Sequence, residues 1–400
     1  MNQPTHQFVN GLREVPETAA LLRVAYVSTE SIDDPHSLSG TTRSIGLALA
    51  NACGHVDYLS PLTQRLSHID RMANALARRF GTPSRLTVHR WRNAKAVALQ
   101  AKEQLIESTA NCIFSPSCIP LAALDDDRPI YMYSDATVPG LCGYYGEWKN
   151  VLGSSYREAM AVERAAANRC RKVFFASEWA KRSAIDAYGL APDSVIVVPR
   201  GANVDAPPSA SVIQTSLTGR LLASPEILVV GRDWHRKGMD VACETLELLR
   251  QRSVPATLTL VGTTPPRHTR IPKDVTILPF LSRRNAVDAA RLRDCFLRAT
   301  LFLLPTRAEA MGIVLAEAAA YGLPAVARNT GGTSAAVLHD ETGFLVSESA
   351  GPEEFATAVE RVISSRECYE RLALSARRRY DEVLSWPACV SRIVEEMRTP

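Results

Sequence analysis

The sequence lacks the features that mark a membrane-spanning, disulfide-bonded or nucleic-acid-binding protein. No apolar run approaches the ~18 residues that a membrane-spanning helix needs. The nine cysteines are scattered and none forms a C-x-x-C pair, which favours reduced thiols and a cytoplasmic location. The net charge of +4 is small for 400 residues and indicates no nucleic-acid partner. Residues 1–18 are polar and contain no apolar signal core.

Motifs for metal, covalent and P-loop chemistry are missing as well. The eight histidines are dispersed, and none stands at a spacing typical of metal ligands. The chain contains no G-x-S-x-G elbow and no G-x-x-x-x-G-K-[ST] loop. We therefore expect neither a metal site nor a bound cofactor.

The sequence does show short apolar runs that alternate with helical patterns, in a chain long enough for two domains. Such alternation predicts an α/β protein with parallel sheets. The stretch 205–219 is rich in Pro, Ser and Thr with little periodicity, and is interpreted as an inter-domain connection. Strands are predicted at 22–28, 56–59, 86–91, 112–114, 130–134, 173–176 and 195–198, then at 227–230, 257–261, 275–278, 301–304, 325–327 and 343–346.

Two glutamates, Glu309 and Glu317, stand eight positions apart where an apolar strand turns into a helix. A strand end that leads into a helix N-terminus is where open α/β sheets bind ligands, and its free N–H groups suit phosphate. A spacing of eight is slightly more than two helical turns, so both carboxylates lie on about the same side. On the pair alone, two solvated glutamates at a chance spacing remain an open alternative.

A second charged group follows the strand 227–230, where Gly231 leads into a loop with Arg232 and Lys237. Cations at the carboxyl end of a strand can neutralise a diphosphate leaving group. An ordinary solvated basic loop is the alternative.

Two positions of the first half also lie at predicted strand or helix ends. Gly40 stands just before a predicted helix, where it suits either helix capping or the approach of a phosphate. Asp135 follows the strand 130–134 and could orient an acceptor hydroxyl, or it could form an Asx turn.

The segment 62–95 is crowded with arginine and histidine, interleaved with apolar residues. It predicts a basic amphipathic surface that contacts an anionic membrane or an acidic acceptor. A solvated helix face is the simpler alternative.

Residues 305–327 resemble the signature of the retaining glycosyltransferases of family 4, which is glutamate, seven residues and a second glutamate. The Gly322-Leu-Pro324 that follows, Gly331-Gly332, and the Gly-Arg–four residues–Lys-Gly pattern at 231–238 also match that family. The resemblance is specific over 229–346 and loose before it. The first half departs from the family by a single glycine at Gly40, where two are usual, and by Ser134-Asp135 in place of a histidine.

The resemblance implies a GT-B fold, with two Rossmann-like lobes facing each other across a cleft. Residues 1–205, with a returning helix at about 385–400, would bind the acceptor, and residues 206–384 the nucleotide sugar. Arg232 and Lys237 would hold the diphosphate in place of a metal, and Glu309 would contact the donor sugar. The expected catalytic set is Glu309, Arg232, Lys237 and Asp135, and the expected donor-binding set is Gly40, Gly231, Phe280, Leu281, Ala310, Met311, Gly312, Ile313, Val314 and Glu317.

The function that the resemblance implies is retaining transfer of a sugar from a nucleotide-diphosphate sugar to a hydroxyl of a glycan, glycolipid or small molecule. The expected mechanism is a metal-independent, front-face displacement. Two rivals are a nucleotide-sugar epimerase of the same fold and a non-catalytic nucleotide-sugar-binding subunit. The expected location is cytoplasmic, with peripheral contact to the inner membrane face through 62–95.

Overall fold

The computed structural model describes residues 22–34 and 37–399, so the polar segment 1–18 lies outside it. Within these residues the chain forms two six-stranded sheets in which every strand pair is parallel. The first sheet has the order β2-β1-β3-β4-β5-β6, and the second has the order β12-β11-β10-β7-β8-β9. The strands are β1 (Arg23–Val27), β2 (His55–Leu59), β3 (Cys112–Ser115), β4 (Ile130–Ser134), β5 (Lys172–Phe175), β6 (Val195–Val197), β7 (Glu226–Val230), β8 (Thr257–Val261), β9 (Val275–Leu278), β10 (Leu301–Leu304), β11 (Ala325–Arg328) and β12 (Gly343–Val346).

Helices lie between most successive strands, whereas β3 leads to β4 and β8 leads to β9 without a helix. They are α1 (Thr41–Ala52), α2 (His68–Phe80), α3 (Trp91–Leu105), α4 (Val138–Leu141), α5 (Gly153–Arg169), α6 (Glu178–Tyr188), α7 (Ala210–Gly219), α8 (Met239–Gln251), α9 (Ala286–Arg298), α10 (Ile313–Ala320), α11 (Thr333–Ala336), α12 (Pro352–Val362), α13 (Arg366–Arg379) and α14 (Trp386–Arg398). Short 3-10 turns lie at Ser37–Gly40, Gly146–Trp148 and Pro192–Ser194, and a π-helical turn lies at Tyr380–Leu384.

The central strands are apolar along their whole length because both of their faces are covered by helices. All four residues of β3 and all four of β10 are buried. Continuous apolar strands of this kind are typical of parallel sheets, whereas a sheet with one wet face would alternate. Because parallel strands share a direction, their carboxyl ends line one edge of each sheet, where the loops discussed below lie.

The last helix, α14, packs on the first lobe, as the resemblance implied. It lies against α1, and the Tyr131 hydroxyl donates a 3.1 Å hydrogen bond to the carbonyl of Met397. Lys172 Nζ lies 2.8 Å from a carboxylate oxygen of Glu396. Pro387 lies in the first turn of α14, where a missing N–H leaves no intrahelical bond unmade.

Two predicted segments differ from the structure. The strand predicted at 86–91 is absent, and Trp91 instead begins α3. Side chains, and not a neighbouring strand, satisfy backbone groups of this segment. Leu86 N–H donates to Ser155 Oγ at 2.8 Å, and the Val88 carbonyl accepts from Asn93 Nδ2 at 2.8 Å. Because that strand is absent, the strand that precedes Asp135 is β4, the fourth along the chain.

The stretch predicted as an irregular connection contains α7, which the Ser209 side chain caps and which buries Ile213 and Leu217. The domain limits themselves stay a prediction. Among residues 22–34 and 37–399, no helix combines the length and the apolar character that crossing a bilayer requires.

Candidate functional site

The two glutamates of the signature lie at the carboxyl edge of the second sheet. Glu309 lies in the loop between β10 and α10, and Glu317 lies inside α10. Both are nearly buried, with exposed fractions of 8% and 5%. A buried carboxylate needs a partner for its charge. This burial therefore excludes the alternative that the pair consists of solvated surface glutamates at a chance spacing.

Gly312 allows the loop to fold back on Glu309 before α10 begins. Its φ is +81°, and a Cβ atom there would lie 3.1 Å from Glu309 Cγ and 3.2 Å from a Leu315 methyl group. A side chain at this position would be strained and would crowd the glutamate.

The partners of Glu309 come from the basic loop after β7. Lys237 Nζ forms an ion pair with Glu309 Oε2, and Arg236 Nη1 lies 3.3 Å from the same oxygen. Lys237 is itself only 8% exposed. Sequence reasoning identified Lys237 and left Arg236 unassigned, although its place beside Lys237 in the loop was a usable signal.

Arg232, the other predicted cation, does not reach Glu309. Its guanidinium lies over the ring of Phe280, 4.2 Å from the ring centroid, which is within the range of a cation–π interaction. The structure therefore brings Lys237 and Arg236 to the first glutamate and places Arg232 beside the exposed aromatic ring of Phe280.

Glu317 is paired with a residue that the sequence did not indicate. Arg283 Nη2 lies 2.6 Å from Glu317 Oε1. Burial raises the pKa of Glu317, and the neighbouring charges of Arg283 and Lys237 act against that rise. No motif pointed to Arg283, because its only local signal is a charge in the loop between β9 and α9.

A cavity of about 260 Å³ is lined by Glu317, Arg283 and Arg232, whereas Glu309 and Lys237 are not part of its wall. It brings together Arg232 and five of the ten predicted donor-binding residues, whereas Ala310, Met311 and Val314 are buried and are not part of its wall. A neighbouring cavity of about 370 Å³ shares Glu317 and Arg283 and extends along α9. The predicted residues in the wall of the first cavity are Gly231, Arg232, Phe280, Leu281, Ile313 and Glu317.

Two tyrosines of the first lobe contact the turn that carries Glu309. The backbone N–H of Glu309 donates to the Tyr144 hydroxyl at 2.9 Å, and that of Ala310 donates to the Tyr145 hydroxyl at 2.8 Å. The Tyr144 hydroxyl also lies 2.9 Å from Thr330 Oγ1. These contacts join positions 165 apart in the sequence, and no motif indicated them.

In the first lobe, Asp135 pairs with a buried arginine. Arg200 forms an ion pair with Asp135 and a hydrogen bond with the hydroxyl of Thr41, the first residue of α1. Gly40 caps α1 with a φ of +85°, so the turn that leads into this helix passes beside the pair. The backbone N–H of Arg200 donates to the sulfur of Met311 at 3.3 Å, which ties the pair to the Glu309 turn.

Asp135 and Arg200 are part of the wall of a cavity of about 400 Å³ in the first lobe. His89 and Glu163 are two of the other titratable groups in that wall. Burial lowers the pKa of His89 to about 4. Burial raises the pKa of Glu163 to about 7, while hydrogen bonds from Tyr188 and from the backbone of Val138 oppose that rise.

The basic segment 62–95 divides into an inward part and an outward part. Arg85 and Arg90 turn inward and pair with the buried Asp70, at 2.7 and 3.3 Å. Helix α2, in contrast, exposes large apolar side chains spaced three, four and four residues apart along one face, namely Ile69, Met72, Leu76 and Phe80. Throughout the described part of the chain, no group of three acidic, histidine or cysteine side chains could hold a metal ion.

Comparison with known proteins gives a consistent result for the second lobe. The model of the family described as glycosyl transferases group 1 matches residues 224–365. A GDP-mannose-dependent alpha-(1-6)-phosphatidylinositol monomannoside mannosyltransferase of Mycobacterium tuberculosis is 26% identical over 251 residues, which are 60% of this chain and 65% of the relative. A D-inositol 3-phosphate glycosyltransferase of Xylanimonas cellulosilytica is 32% identical over 203 residues, 48% of each chain. The chain thus spans less than two thirds of the length of these relatives.

The architecture matches a solved structure over nearly its whole length. Sucrose-phosphate synthase from Thermosynechococcus elongatus superposes with a TM-score of 0.66 and 17% identity, covering 94% of this chain and 98% of the other. At that identity the likeness shows the fold, which is GT-B, as the resemblance implied.

Proposed function

Because residues 224–365 of this chain belong to the glycosyl transferases group 1 family, we propose that the protein transfers a sugar from a nucleotide-diphosphate sugar to a hydroxyl acceptor. The observation that carries the proposal is a pair of buried carboxylates: Glu317, paired with Arg283 in the wall of the cavity, and Glu309, paired with Lys237 in the loop that precedes the same helix. The names of the relatives, which describe mannosyl and glycosyl transfer, support the same class of reaction.

Lys237, Arg236 and Arg232 supply the charge that a diphosphate needs. Lys237 and Arg236 pair with Glu309, and an incoming diphosphate would compete with that carboxylate for them. Charge-assisted hydrogen bonds to phosphate are strong, and positioned cations stabilise the leaving group without a metal. We accordingly expect activity that needs no divalent ion.

The two carboxylates suit the two ends of the donor. Carboxylates accept hydrogen bonds from hydroxyl groups, so Glu317 would take the ribose hydroxyls and Glu309 those of the transferred sugar. The wall of the cavity offers the ring of Phe280, with Arg232 above it, as a surface for the base. Glu309 would also support the positive charge that develops at the anomeric carbon.

The chemical step follows from this placement. The bond between the anomeric carbon and the phosphate oxygen breaks, and the acceptor oxygen forms a bond on the same face, which retains the configuration. The acceptor's proton passes to the departing phosphate oxygen, whose charge Lys237 and Arg236 stabilise. The first lobe would supply the acceptor, with Asp135 at the mouth of its cavity.

The test is a panel of UDP-, GDP-, ADP- and dTDP-sugars, incubated in EDTA with the wild-type protein and with Glu309→Ala. Glu103→Ala, on an exposed position of α3, is the matched control. We expect one donor to be hydrolysed or transferred without metal by the wild type and the control, and activity to be lost in Glu309→Ala. Binding of no nucleotide sugar would contradict the proposal, and release of an altered sugar in the absence of acceptor would favour an epimerase.

We also propose that α2 contacts an anionic lipid surface and holds the enzyme at the membrane face where its acceptor lies. Its exposed face carries Ile69 and Phe80, 74% and 67% exposed, and the exposed arginines Arg71 and Arg79 flank that face. A helix with one apolar face and adjacent cations lies flat in the interface of an anionic bilayer. The positive charges select lipid over an apolar protein groove.

Sedimentation with vesicles tests this contact. We expect binding to vesicles that contain phosphatidylglycerol, weak binding to phosphatidylcholine alone, and loss of binding in a variant carrying Ile69→Asp and Phe80→Asp. Leu374→Asp, which changes an exposed leucine of α13, should bind as the wild type does. Equal binding of all three proteins would refute the role of α2.

A further inference from the structure

We propose that the cavity of the first lobe accepts an uncharged polyhydroxylated group and rejects a phosphorylated one, because the arginine in its wall is already bound by Asp135 and Thr41. This inference rests on the proposed function, in which the acceptor enters through the first lobe. It adds the chemical class of the acceptor and names the pair Asp135–Arg200 as the determinant of specificity.

The charge of the cavity wall is negative. Among the described residues that line it, Glu30, Asp135 and Glu163 carry carboxyl groups, and Arg200 is the sole arginine or lysine. Arg200 is buried, with its guanidinium committed to Asp135 and to the Thr41 hydroxyl. A phosphate monoester carries about −1.5 to −2 charges at neutral pH and is bound in proteins by arginine or lysine.

The other polar and titratable groups of the wall do not make its net charge positive. His89 is neutral at pH 7, since burial lowers its pKa to about 4. The amino end of α1 also faces the cavity through Thr41, and a helix end contributes about half a positive charge. The carboxylates of Glu30 and Asp135, set against Arg200, leave a full negative charge, which exceeds that dipole even when Glu163 is protonated.

The same wall suits hydroxyl groups. Thr29, Gln64, Ser117 and Ser134, which carry hydroxyl or amide groups, line it together with the carboxylic acids, and so does the aromatic Trp148. Hydroxyl and amide groups hydrogen-bond to polyols in either direction, whereas carboxylates accept from them. A volume of about 400 Å³ lies at the lower end of the range for small-ligand sites, which is enough for a ring of sugar size.

The position of the cavity fits the transfer step. Arg200 is part of its wall, and its backbone N–H contacts the sulfur of Met311, two residues beyond Glu309. A hydroxyl bound in the cavity would therefore approach the turn where the donor sugar is proposed to lie.

The experiment compares acceptors that differ only by phosphate. Using the donor that the wild type hydrolyses, transfer is measured to glucose and mannose and to their 6-phosphates, with donor hydrolysis followed in parallel. Asp135→Asn removes the carboxylate that pairs with Arg200, and we expect the guanidinium to be better able to pair with a phosphate in the cavity. Asp193→Asn is the matched control, because this exposed aspartate precedes β6, at the opposite edge of the sheet.

We expect the wild type and Asp193→Asn to prefer the unphosphorylated sugars at least tenfold in kcat/KM. Asp135→Asn should shift that ratio toward the phosphorylated sugars by tenfold or more, whatever happens to its absolute rate. A wild type that prefers the phosphates, an unchanged ratio in Asp135→Asn, or donor hydrolysis without transfer to either class overturns the inference. Absence of donor hydrolysis would refute the proposed function instead.

Discussion

Replacing Glu309 by glutamine removes one negative charge from a nearly closed site and leaves its shape unchanged. In the wild type, Glu309 balances Lys237, and both residues are 8% exposed. In Glu309→Gln, the ammonium of Lys237 stays buried without a counter-ion, next to the guanidinium of Arg236. Removing one member of a buried ion pair costs about 3–5 kcal/mol.

The lower end of that range applies here. The side chain of Arg236 is 24% exposed and can turn toward solvent, which relieves the repulsion between the two cations. We therefore expect the free energy of unfolding of the second lobe to fall by about 3 kcal/mol. For a unit of this size, each kcal/mol lowers the melting temperature by about 2–4 °C, so the expected decrease is roughly 6–12 °C.

A nucleoside diphosphate should reverse this loss. Its phosphates supply the negative charge that Lys237 and Arg236 lack in the variant, whereas in the wild type they must first displace Glu309. We expect the variant to bind the nucleoside diphosphate about tenfold more tightly, which corresponds to about 1.4 kcal/mol. Saturating ligand should therefore raise its melting temperature more than that of the wild type. Sugar transfer should still be lost.

Urea denaturation, thermal melting and calorimetric titration check the three parts of this prediction. Lys237→Met and the double variant complete a double-mutant cycle, in which the coupling energy of a direct ion pair should exceed about 1 kcal/mol. A variant Glu309→Gln as stable as the wild type, with unchanged affinity for the nucleoside diphosphate, would refute the reasoning. Additive effects in the cycle would refute it too.

Three further changes test separate parts of the structure. Gly238→Ala should destabilise the protein by more than about 2 kcal/mol in urea, because φ is +71° there and a Cβ atom would lie 2.2 Å from the Pro305 carbonyl oxygen; Gly219→Ala, in open space, should not. Since the folded-state pKa of Glu163 is about 7 and its ordinary value 4.5, its stabilisation is complete below pH 4.5 and is lost as the pH rises through 7. That is about two and a half pH units at about 1.4 kcal/mol each, so the unfolding free energy should fall by about 3 kcal/mol across this window and much less in Glu163→Gln. Tyr145→Phe leaves the buried Ala310 N–H without its acceptor, which should cost about 1–3 kcal/mol and lower kcat more than it raises KM; unchanged kinetics would contradict an inter-lobe role.

Most strands could be predicted because their signal is local. Most strands of the second sheet are largely buried apolar runs, and those runs stand out from the sequence alone. The segment 86–91 has a similar alternation and yet forms no strand. Its backbone groups bond instead to Ser155 and Asn93, and no local pattern shows that a side chain 69 residues away will satisfy an N–H group.

The residues of the candidate site also differ in whether the local sequence indicates them. Glu309, Glu317 and Lys237 belong to compact motifs, and the structure places all three in one buried region. Arg283 and Tyr144 reach that region only through the folded chain, because each contacts a partner distant in sequence. Motif spacing therefore identified the carboxylates, while the cation at the second glutamate and the contact from the other lobe required the three-dimensional structure.

Residues of both lobes contact the turn that carries Glu309. Its carboxylate is held by Lys237 of the second lobe, and its backbone N–H donates to Tyr144 of the first. The segment that carries Tyr144 runs from Leu141, at the end of α4, to Trp148, and both of these residues line the first-lobe cavity. In the proposed reaction, a diphosphate that draws Lys237 away would release the carboxylate toward the donor sugar, while the tyrosine contact would keep the backbone in place. The position of Glu309 would then depend on the donor's charge through one contact and on the first lobe through the other, so we expect removal of either contact to impair transfer by a different route.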